Sequence, residues 1–192
     1  MGQKPISMKN SKKFVVLNET CYLFYMNAII TNISHRAAAR QGRRGSGRTI
    51  HLIDIENLCG SSRVTRDQVA QERETYKQAV LIGHSDLVIV ASSGGNLLSS
   101  YLGWPGPRFL ARDGKDGADI CLAEVIAEGG LAGRFEIAVV ASGDGGLAPS
   151  VASLAEQGLH TIVVSRANCI SRRMRMAAHE SILLGPKLQE RA

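Results

Sequence analysis

The chain has 192 residues, of which 44% are hydrophobic and 21% charged, and this composition indicates a globular domain with its own core. Its four cysteines, Cys21, Cys59, Cys121 and Cys169, have spacings that match no zinc motif, which excludes the common zinc-finger classes. We expect Cys59 and Cys121 to be buried free thiols. Free thiols favour a reducing compartment, so we expect the protein to be cytoplasmic.

The net charge of +6 is distributed unevenly along the chain. Residues 1–48 contain nine Lys and Arg and one acid, whereas residues 49–192 contain fourteen Lys and Arg and sixteen acids. Basic residues return in the run SRANCISRRMRM, at Arg166, Arg172, Arg173 and Arg175. Basic segments around a more acidic centre favour a polyanionic partner, with a solubilising tail and a solvated helix face as the alternative.

Residues 1–48 are predicted to form a basic, flexible N-terminal extension rather than part of the domain. Their apolar run CYLFYMNAII is ten residues long, too short to cross a bilayer. Asn18, Glu19 and Thr20 interrupt the apolar stretch, and no small-residue cleavage site follows, so the pattern is not that of a signal peptide. We therefore expect a protein without a membrane association.

From residue 49 onward, short apolar runs alternate with helical segments. The strand candidates are TIHLIDI, DLVIVAS, the weaker PRFLARD, EIAVVAS and HTIVVS. Helices are predicted over 65–80, whose charged residues (including Glu72) suggest a solvated face, and over 96–103, 117–130, 147–157 and 170–184. Strands that are apolar on both faces predict a parallel sheet covered by helices on both sides. The fold class is thus α/β, a three-layer α/β/α domain over 49–184 with a mainly parallel sheet of about five strands, followed by a tail at 185–192.

Acidic residues follow three of the predicted strands. Asp54 and Glu56 follow the first, Asp116 and Asp119 follow the third, and Asp144 follows the fourth. Because the carboxyl ends of parallel strands meet at one edge of a sheet, we expect Asp144 to face other carboxylates. Clustered carboxylates repel each other unless a cation is present, and oxygen ligands suit Mg²⁺ or Mn²⁺. Such ions support the hydrolysis of phosphodiesters.

Ordinary structural roles remain open for the same side chains. Asp116 and Asp119 have the spacing of an N-cap and an N3 residue for the helix 117–130. A helix cap is also the alternative for Asp54 and Asp144, although no helix is expected directly after Asp54. Asn57 suits a turn.

The segments DIEN, DGADICL and VVASGDGGLAPSVASLAEQGLHTIVV together resemble the NYN domain, a branch of the PIN-like nucleases. The resemblance covers about residues 49–184 and implies a PIN-like, Rossmann-like sheet. It also implies a metal-dependent ribonuclease, in the family an endonuclease. The positions that match the family's catalytic residues are Asp54, Asn57, Asp119 and Asp144, of which the three Asp residues are the implied ligands of Mg²⁺ or Mn²⁺.

One position departs from the family pattern. Many NYN domains carry a second acid two residues after the Asp of the Ser-Gly-Asp motif, and Gly146 stands there in this chain. The departure implies a weakened metal site or a domain that binds RNA without cutting it. Asp116 is a further candidate ligand, as is Glu56, which is otherwise expected to be solvated.

The RNA-binding residues are predicted from their charge to be Arg172, Arg173, Arg175 and Lys115. Trp104 is expected to pack its loop against the sheet, with stacking on a base as the alternative.

Three functions remain open: a metal-dependent ribonuclease, which the residues favour, an RNA-binding module without activity, and a metal-dependent phosphatase. Other enzyme classes lack their motifs: SSGGNLLSS has no P-loop lysine, and His51 and His160 are isolated strand residues.

Overall fold

A six-stranded sheet lies between two layers of helices in a computed structural model of the chain, which describes residues 47–114 and 116–185. The strands are β1 (Thr49–Asp54), β2 (Leu87–Ser92), β3 (Arg108–Ala111), β4 (Ile137–Ala141), β5 (His160–Arg166) and β6 (Glu180–Leu184). The helices are α1 (Ile55–Cys59), α2 (Arg66–Ala79), α3 (Leu97–Gly103), α4 (Gly117–Ala127), α5 (Ala148–Glu156) and α6 (Arg172–Ala177). The predicted three-layer α/β/α class is confirmed, with six strands where about five were expected.

The sheet is parallel throughout and has the strand order β3-β2-β1-β4-β5-β6. The chain builds outward from β1 to β3, returns to the centre, and builds outward again from β4 to β6. Helices α1 and α2, with Trp104 directly after α3, contribute to the core on one face of the sheet, and helices α4 to α6 contribute to the core on the other. The strand order therefore reverses between β1 and β4, which is where open α/β sheets bind ligands at their carboxyl edge.

Four predicted helices, over 65–80, 96–103, 117–130 and 147–157, lie within three residues of α2, α3, α4 and α5 at each end. The fifth prediction, a helix over 170–184, is wrong. Helix α6 ends at Ala177, and β6 pairs with β5 in parallel register. Ile182 and Leu184 of β6 are buried while Ser181 and Leu183 are exposed, so the segment buries its apolar side chains with a period of two. Pairing with a central strand outweighs the helix propensity of this Ala- and Leu-containing sequence.

The expectation that the charged residues of the helix 65–80 are solvated is also wrong for Glu72, which is only 3% exposed. Both of its carboxylate oxygens accept hydrogen bonds from Arg166 at the end of β5. Arg166 also donates a hydrogen bond to the backbone oxygen of Gly185. This buried ion pair fixes α2 to the edge of the sheet and removes Arg166 from the basic surface that its sequence neighbours form.

Several smaller expectations are confirmed. Cys59 and Cys121 are buried and belong to no disulfide of the described residues, and His51 and His160 lie in strands. Trp104 is 3% exposed and packs against the ring of Tyr76, so it is not available to stack on a base.

The predicted N-terminal extension 1–48 and the tail 185–192 lie outside the described residues, apart from residues 47, 48 and 185. Within the described part of the chain, no helix has the length and hydropathy that a membrane crossing requires.

Candidate functional site

The acidic residues of the first and fourth strands meet at the point where the strand order reverses. Asp54 is the last residue of β1, and Asp144 follows β4 by three residues. Ile53 of β1 pairs with Ala141 of β4, so Asp54 is level with Ser142, at the start of the segment that carries Asp144. The backbone register therefore places the two aspartates on neighbouring strand exits, at the carboxyl edge of the sheet.

Asp54 caps a helix that begins immediately after it, contrary to the expectation that none would. Its Oδ1 atom accepts hydrogen bonds from the backbone N–H groups of Glu56, at 3.1 Å, and Asn57, at 3.0 Å. The residue is only 6% exposed. Because both cap bonds use Oδ1, the second oxygen, Oδ2, is left to face the site. Capping and a role in the site are therefore compatible for this residue.

Asn57 joins the two strand exits rather than stabilising a local turn. Its side-chain Oδ1 atom accepts a hydrogen bond of 2.8 Å from the backbone N–H of Gly143. Gly143 is tightly enclosed, since a Cβ atom there would lie 2.2 Å from the backbone oxygen of Cys169. The Asn57 amide thus fixes the backbone immediately before Asp144.

Asp119 enters the site from the first turn of α4. Position 117 at the start of α4 requires glycine, because a Cβ atom there would lie 2.2 Å from the backbone oxygen of Arg112. Asp116 stands at the N-cap position with φ 60° and makes no side-chain cap bond, so the predicted capping role of its side chain is wrong. Asp119 is half-buried, and its Oδ1 atom is buried without a hydrogen-bond donor in the described residues.

Asp144 is the exposed member of the group. Its Oδ1 atom accepts a hydrogen bond of 2.8 Å from the backbone N–H of Gly146, which caps the short 3-10 turn Gly145–Leu147. Its own backbone N–H donates to Oγ of Ser142, at 3.2 Å. The carboxylate is therefore held at the mouth of the site with its second oxygen outside these bonds.

Two carboxyl groups of this cluster, those of Asp54 and Asp119, have raised pKa values. Burial raises the pKa of Asp54 from 3.8 to about 7, and the charges of Asp119 and Glu56 add to the rise. Burial also raises the pKa of Asp119, to about 6, and the charges of Asp144 and Asp116 contribute. A hydrogen bond with the Asp54 carboxyl group, which requires a proton on one of the two, offsets part of the rise for Asp119. Asp119 thus interacts electrostatically with both of the other aspartates.

Glu56 has a defined role that its sequence context did not indicate. The expectation of a solvated side chain is wrong, because Oε1 accepts hydrogen bonds from the backbone N–H of Ser93, at 2.7 Å, and from Nδ2 of Asn96, at 2.6 Å. These bonds tie α1 to the exit of β2, next to Ser92, whose Oγ atom is buried without a partner in the described residues. The charge of Glu56 raises the pKa values of Asp54 and Asp119, so it belongs to the cluster electrostatically.

The donor chemistry of the cluster fits a hard divalent cation. Among residues 47–114 and 116–185, no group of three or more His, Cys, Asp or Glu side chains is placed to hold a metal ion. Mg²⁺ does not need such a group, since it retains several waters and binds through one or two carboxylates and substrate phosphate. The buried Asp119 oxygen that lacks a donor, together with the raised pKa of Asp54, matches what a cation between carboxylates would relieve.

The three predicted RNA-binding arginines lie exposed on α6. Helix α6 packs against the turn Gly145–Leu147. A Cβ atom on Gly145 would lie 3.6 Å from Cδ of Arg173, so the side chain of Arg173 borders the segment that carries Asp144. No such contact links Arg172 or Arg175 to the aspartates in the described part of the chain. Lys115 lies outside the described residues.

Protein-family models give no match to this chain, and neither do curated proteins. Among solved structures, the chain is similar to a protein of unknown function from Vibrio parahaemolyticus, with 14% sequence identity and a TM-score of 0.47. The similarity covers 72% of this chain and 93% of that protein. At this level of similarity no function is transferred, so the proposal below rests on the residues of this chain.

Proposed function

We propose that the protein is a metal-dependent ribonuclease of the NYN type, acting as an endonuclease on RNA phosphodiester bonds at the cluster of Asp54, Asp119 and Asp144. The observation that carries the proposal is the position of Asp119, whose carboxyl group interacts with both other aspartates and has one buried oxygen without a donor in the described residues. The cluster lies at the strand-order reversal of a parallel sheet, the usual place for a ligand in this architecture.

Asp54 and Asp119 would hold Mg²⁺ or Mn²⁺ together with water, and Asp144 and Asp116 are further candidates, since the described residues contain no group of three such side chains placed around one ion. A cation bound there would stabilise the negative charge that develops on the phosphodiester during attack by water. In the absence of a cation, the raised pKa of Asp54, about 7, keeps this carboxyl group partly protonated at neutral pH. Cation binding is therefore expected to displace a proton from the Asp54–Asp119 pair.

The remaining residues position the cluster and the substrate. Asn57 is a positioning residue, since it fixes Gly143 and hence the segment that carries Asp144. Gly145 and Gly146 have no side chains that would keep a nucleic-acid backbone away from Asp144. Arg173 borders the same turn, where its guanidinium is suited to a phosphate of the bound strand. The acidic cluster and the cationic side chain of Arg173 thus border the same turn.

A second candidate is an RNA-binding module without activity. Two observations favour it: Gly146 replaces the second acid of the family motif, and its N–H occupies one oxygen of Asp144. In this case the exposed arginines of α6 bind phosphates in the same place, but the cluster does not retain a cation. The two candidates differ in cleavage and agree in salt-sensitive binding.

Incubation of the full chain with end-labelled RNA, in Mn²⁺ or in EDTA, tests the proposal. Cleavage is expected with Mn²⁺, none with EDTA, and none for Asp119→Asn. The matched control is Asp67→Asn, because Asp67 is exposed on α2 and paired with Arg66, outside the cluster. Binding without cleavage supports the second candidate. Hydrolysis of a small phosphoester that RNA does not inhibit would instead identify a phosphatase.

A further inference from the structure

A cavity of about 220 Å³ lies near the amino-terminal ends of the strands, away from the aspartate cluster at their carboxyl ends. Its lining includes aliphatic side chains from the three strands β4 to β6, namely Ile137, Val139, Ile162 and Ile182. Residues 79–81, at the end of α2 and directly after it, form another wall. Leu81 at this wall is 68% exposed.

One part of the cavity lining is polar and carries a fixed negative charge. Asp86 contributes a carboxylate whose side chain is only 8% exposed. Oδ1 accepts a hydrogen bond from the backbone N–H of Thr49, at 2.8 Å, and Oδ2 accepts one from the backbone N–H of Gly83, at 2.7 Å. Burial raises the pKa of Asp86, but the hydrogen bonds from His51, Thr49 and Gly83 outweigh it and leave the pKa below 3.8.

His51 links this carboxylate to Tyr76 through hydrogen bonds. Its Nε2 atom lies 3.4 Å from Oδ2 of Asp86, and its Nδ1 atom lies 2.8 Å from the hydroxyl of Tyr76. A carboxylate only accepts, so Nε2 donates, and a neutral ring is completed when the Tyr76 hydroxyl donates to Nδ1. With a neutral ring, both nitrogens of His51 are hydrogen-bonded, to Asp86 and to Tyr76, and the negative charge of Asp86 is retained. Arg48 is held elsewhere, on the backbone oxygen of Ser85 and over the ring of Phe135.

We propose that this cavity is a binding site for a small organic amine, with an apolar body against the aliphatic floor and an ammonium group towards Asp86. The size fits, because an apolar cavity of about 150 Å³ is known to take benzene, and this one holds a ring with a short substituent. A mainly apolar cavity with a few polar groups, here including His84, Ser85 and Asp86, is the general design of small-molecule sites. The inference is independent of the ribonuclease proposal, since it uses none of the same residues.

Benzylamine, with benzyl alcohol as a neutral probe of the same shape, tests the proposal on the full chain. Titrations followed by backbone amide NMR signals are expected to shift the amides of Gly83 and Asp86, with benzylamine binding about tenfold more tightly than benzyl alcohol at low salt. Equal affinities for the two probes, or the absence of shifts at these amides, would overturn the proposal.

Ile137→Phe fills the cavity from its floor and is expected to abolish benzylamine binding. The control, Leu183→Phe, places the same ring on β6 at an exposed position outside the cavity lining and should leave binding unchanged. Asp119→Asn distinguishes this site from the aspartate cluster, because benzylamine attracted to the cluster loses affinity in that variant. Such a loss, or unchanged binding by Ile137→Phe, contradicts the assignment. The comparison of the two probes on the unmodified chain decides the matter if Ile137→Phe does not fold.

Discussion

The side-chain oxygen of Asn57 accepts a hydrogen bond from the backbone N–H of Gly143, at 2.8 Å, across a separation of 86 residues. This single bond joins the exit of β1 to the exit of β4, and it fixes the distance between Asp54 and the segment that carries Asp144. Asn57, which the resemblance to NYN domains implies to be catalytic, therefore connects the two halves of the sheet.

Replacing Asn57 with Ala leaves the enclosed N–H of Gly143 without an acceptor. We expect a loss of about 1–3 kcal/mol in the free energy of unfolding, the usual cost of an unpaired buried polar group. Urea denaturation measures this loss. Gln78→Ala, at an exposed amide on α2, is the control and should change stability by less than about 0.5 kcal/mol. Equal stabilities of the two variants would show that the bond does not hold the exits together.

The raised pKa of Asp54 predicts how the stability of the cation-free protein changes with pH. The folded state holds this proton with a pKa of about 7, against 3.8 for the ordinary group, so the folded state binds more protons in between. The resulting stabilisation is fully present below pH 3.8 and is lost as the pH rises through about 7. Asp119, whose pKa is also raised, contributes in the same direction.

Asp54→Asn tests this dependence, because Asn retains the oxygen that caps α1 but does not ionise. Relative to wild type in EDTA, the variant should gain stability as the pH increases from 5 to 8, by about 3 kcal/mol. Urea denaturation at each pH measures the difference, and saturating Mn²⁺ should reduce it. A difference between the two proteins that does not depend on pH contradicts the assigned pKa.

Gly146→Asp introduces the second acid that many NYN domains carry at the corresponding position. Gly146 does not have a positive φ, and a Cβ atom there would lie 3.4 Å from Oδ1 of Asp144, an ordinary contact. We expect an increase of about tenfold in Mn²⁺ affinity, measured by calorimetric titration, since an added carboxylate strengthens a cation site. Gly146→Asn, which has the same shape without the charge, is the control. An equal affinity in both variants excludes Gly146 as a position next to the cation.

Arg173→Ala is expected to weaken the binding of RNA equally, whatever the RNA sequence, because the proposed contact of Arg173 is to phosphate. The slope of log K against log salt should decrease in magnitude by about 1. Filter binding at several salt concentrations measures it. Arg134→Ala serves as the control, since Arg134 precedes β4 and lies at the opposite edge of the sheet. Unchanged slopes for Arg173→Ala would place the RNA elsewhere.

The first five strands and four of the helices were predictable because their signals are local. A strand that is apolar on both faces, such as β1 or β4, needs no knowledge of its neighbours. Strand β6 was missed because its sequence also suits a helix, and only its pairing with β5 selects the strand. Glu72 was misassigned for the same reason, since its partner Arg166 lies 94 residues away.

In the candidate site, topology allowed part of the arrangement to be predicted. The positions of Asp54, Asp119 and Asp144 at one edge follow from their places after parallel strands. The roles of Asn57 and Glu56 did not follow, because each is set by hydrogen bonds with a distant segment. The available signal for Glu56 was that an acid lies two residues after Asp54. The direction in which its side chain points depends on the short helix α1, which was not predicted.

Anomalous scattering from a crystal soaked in Mn²⁺ tests the central claim most directly. We expect a manganese peak between the carboxyl groups of Asp54 and Asp119, with Asp144 beside it. A crystal without a peak at this place, in which these carboxyl groups remain bonded only to one another and to the protein, would contradict it.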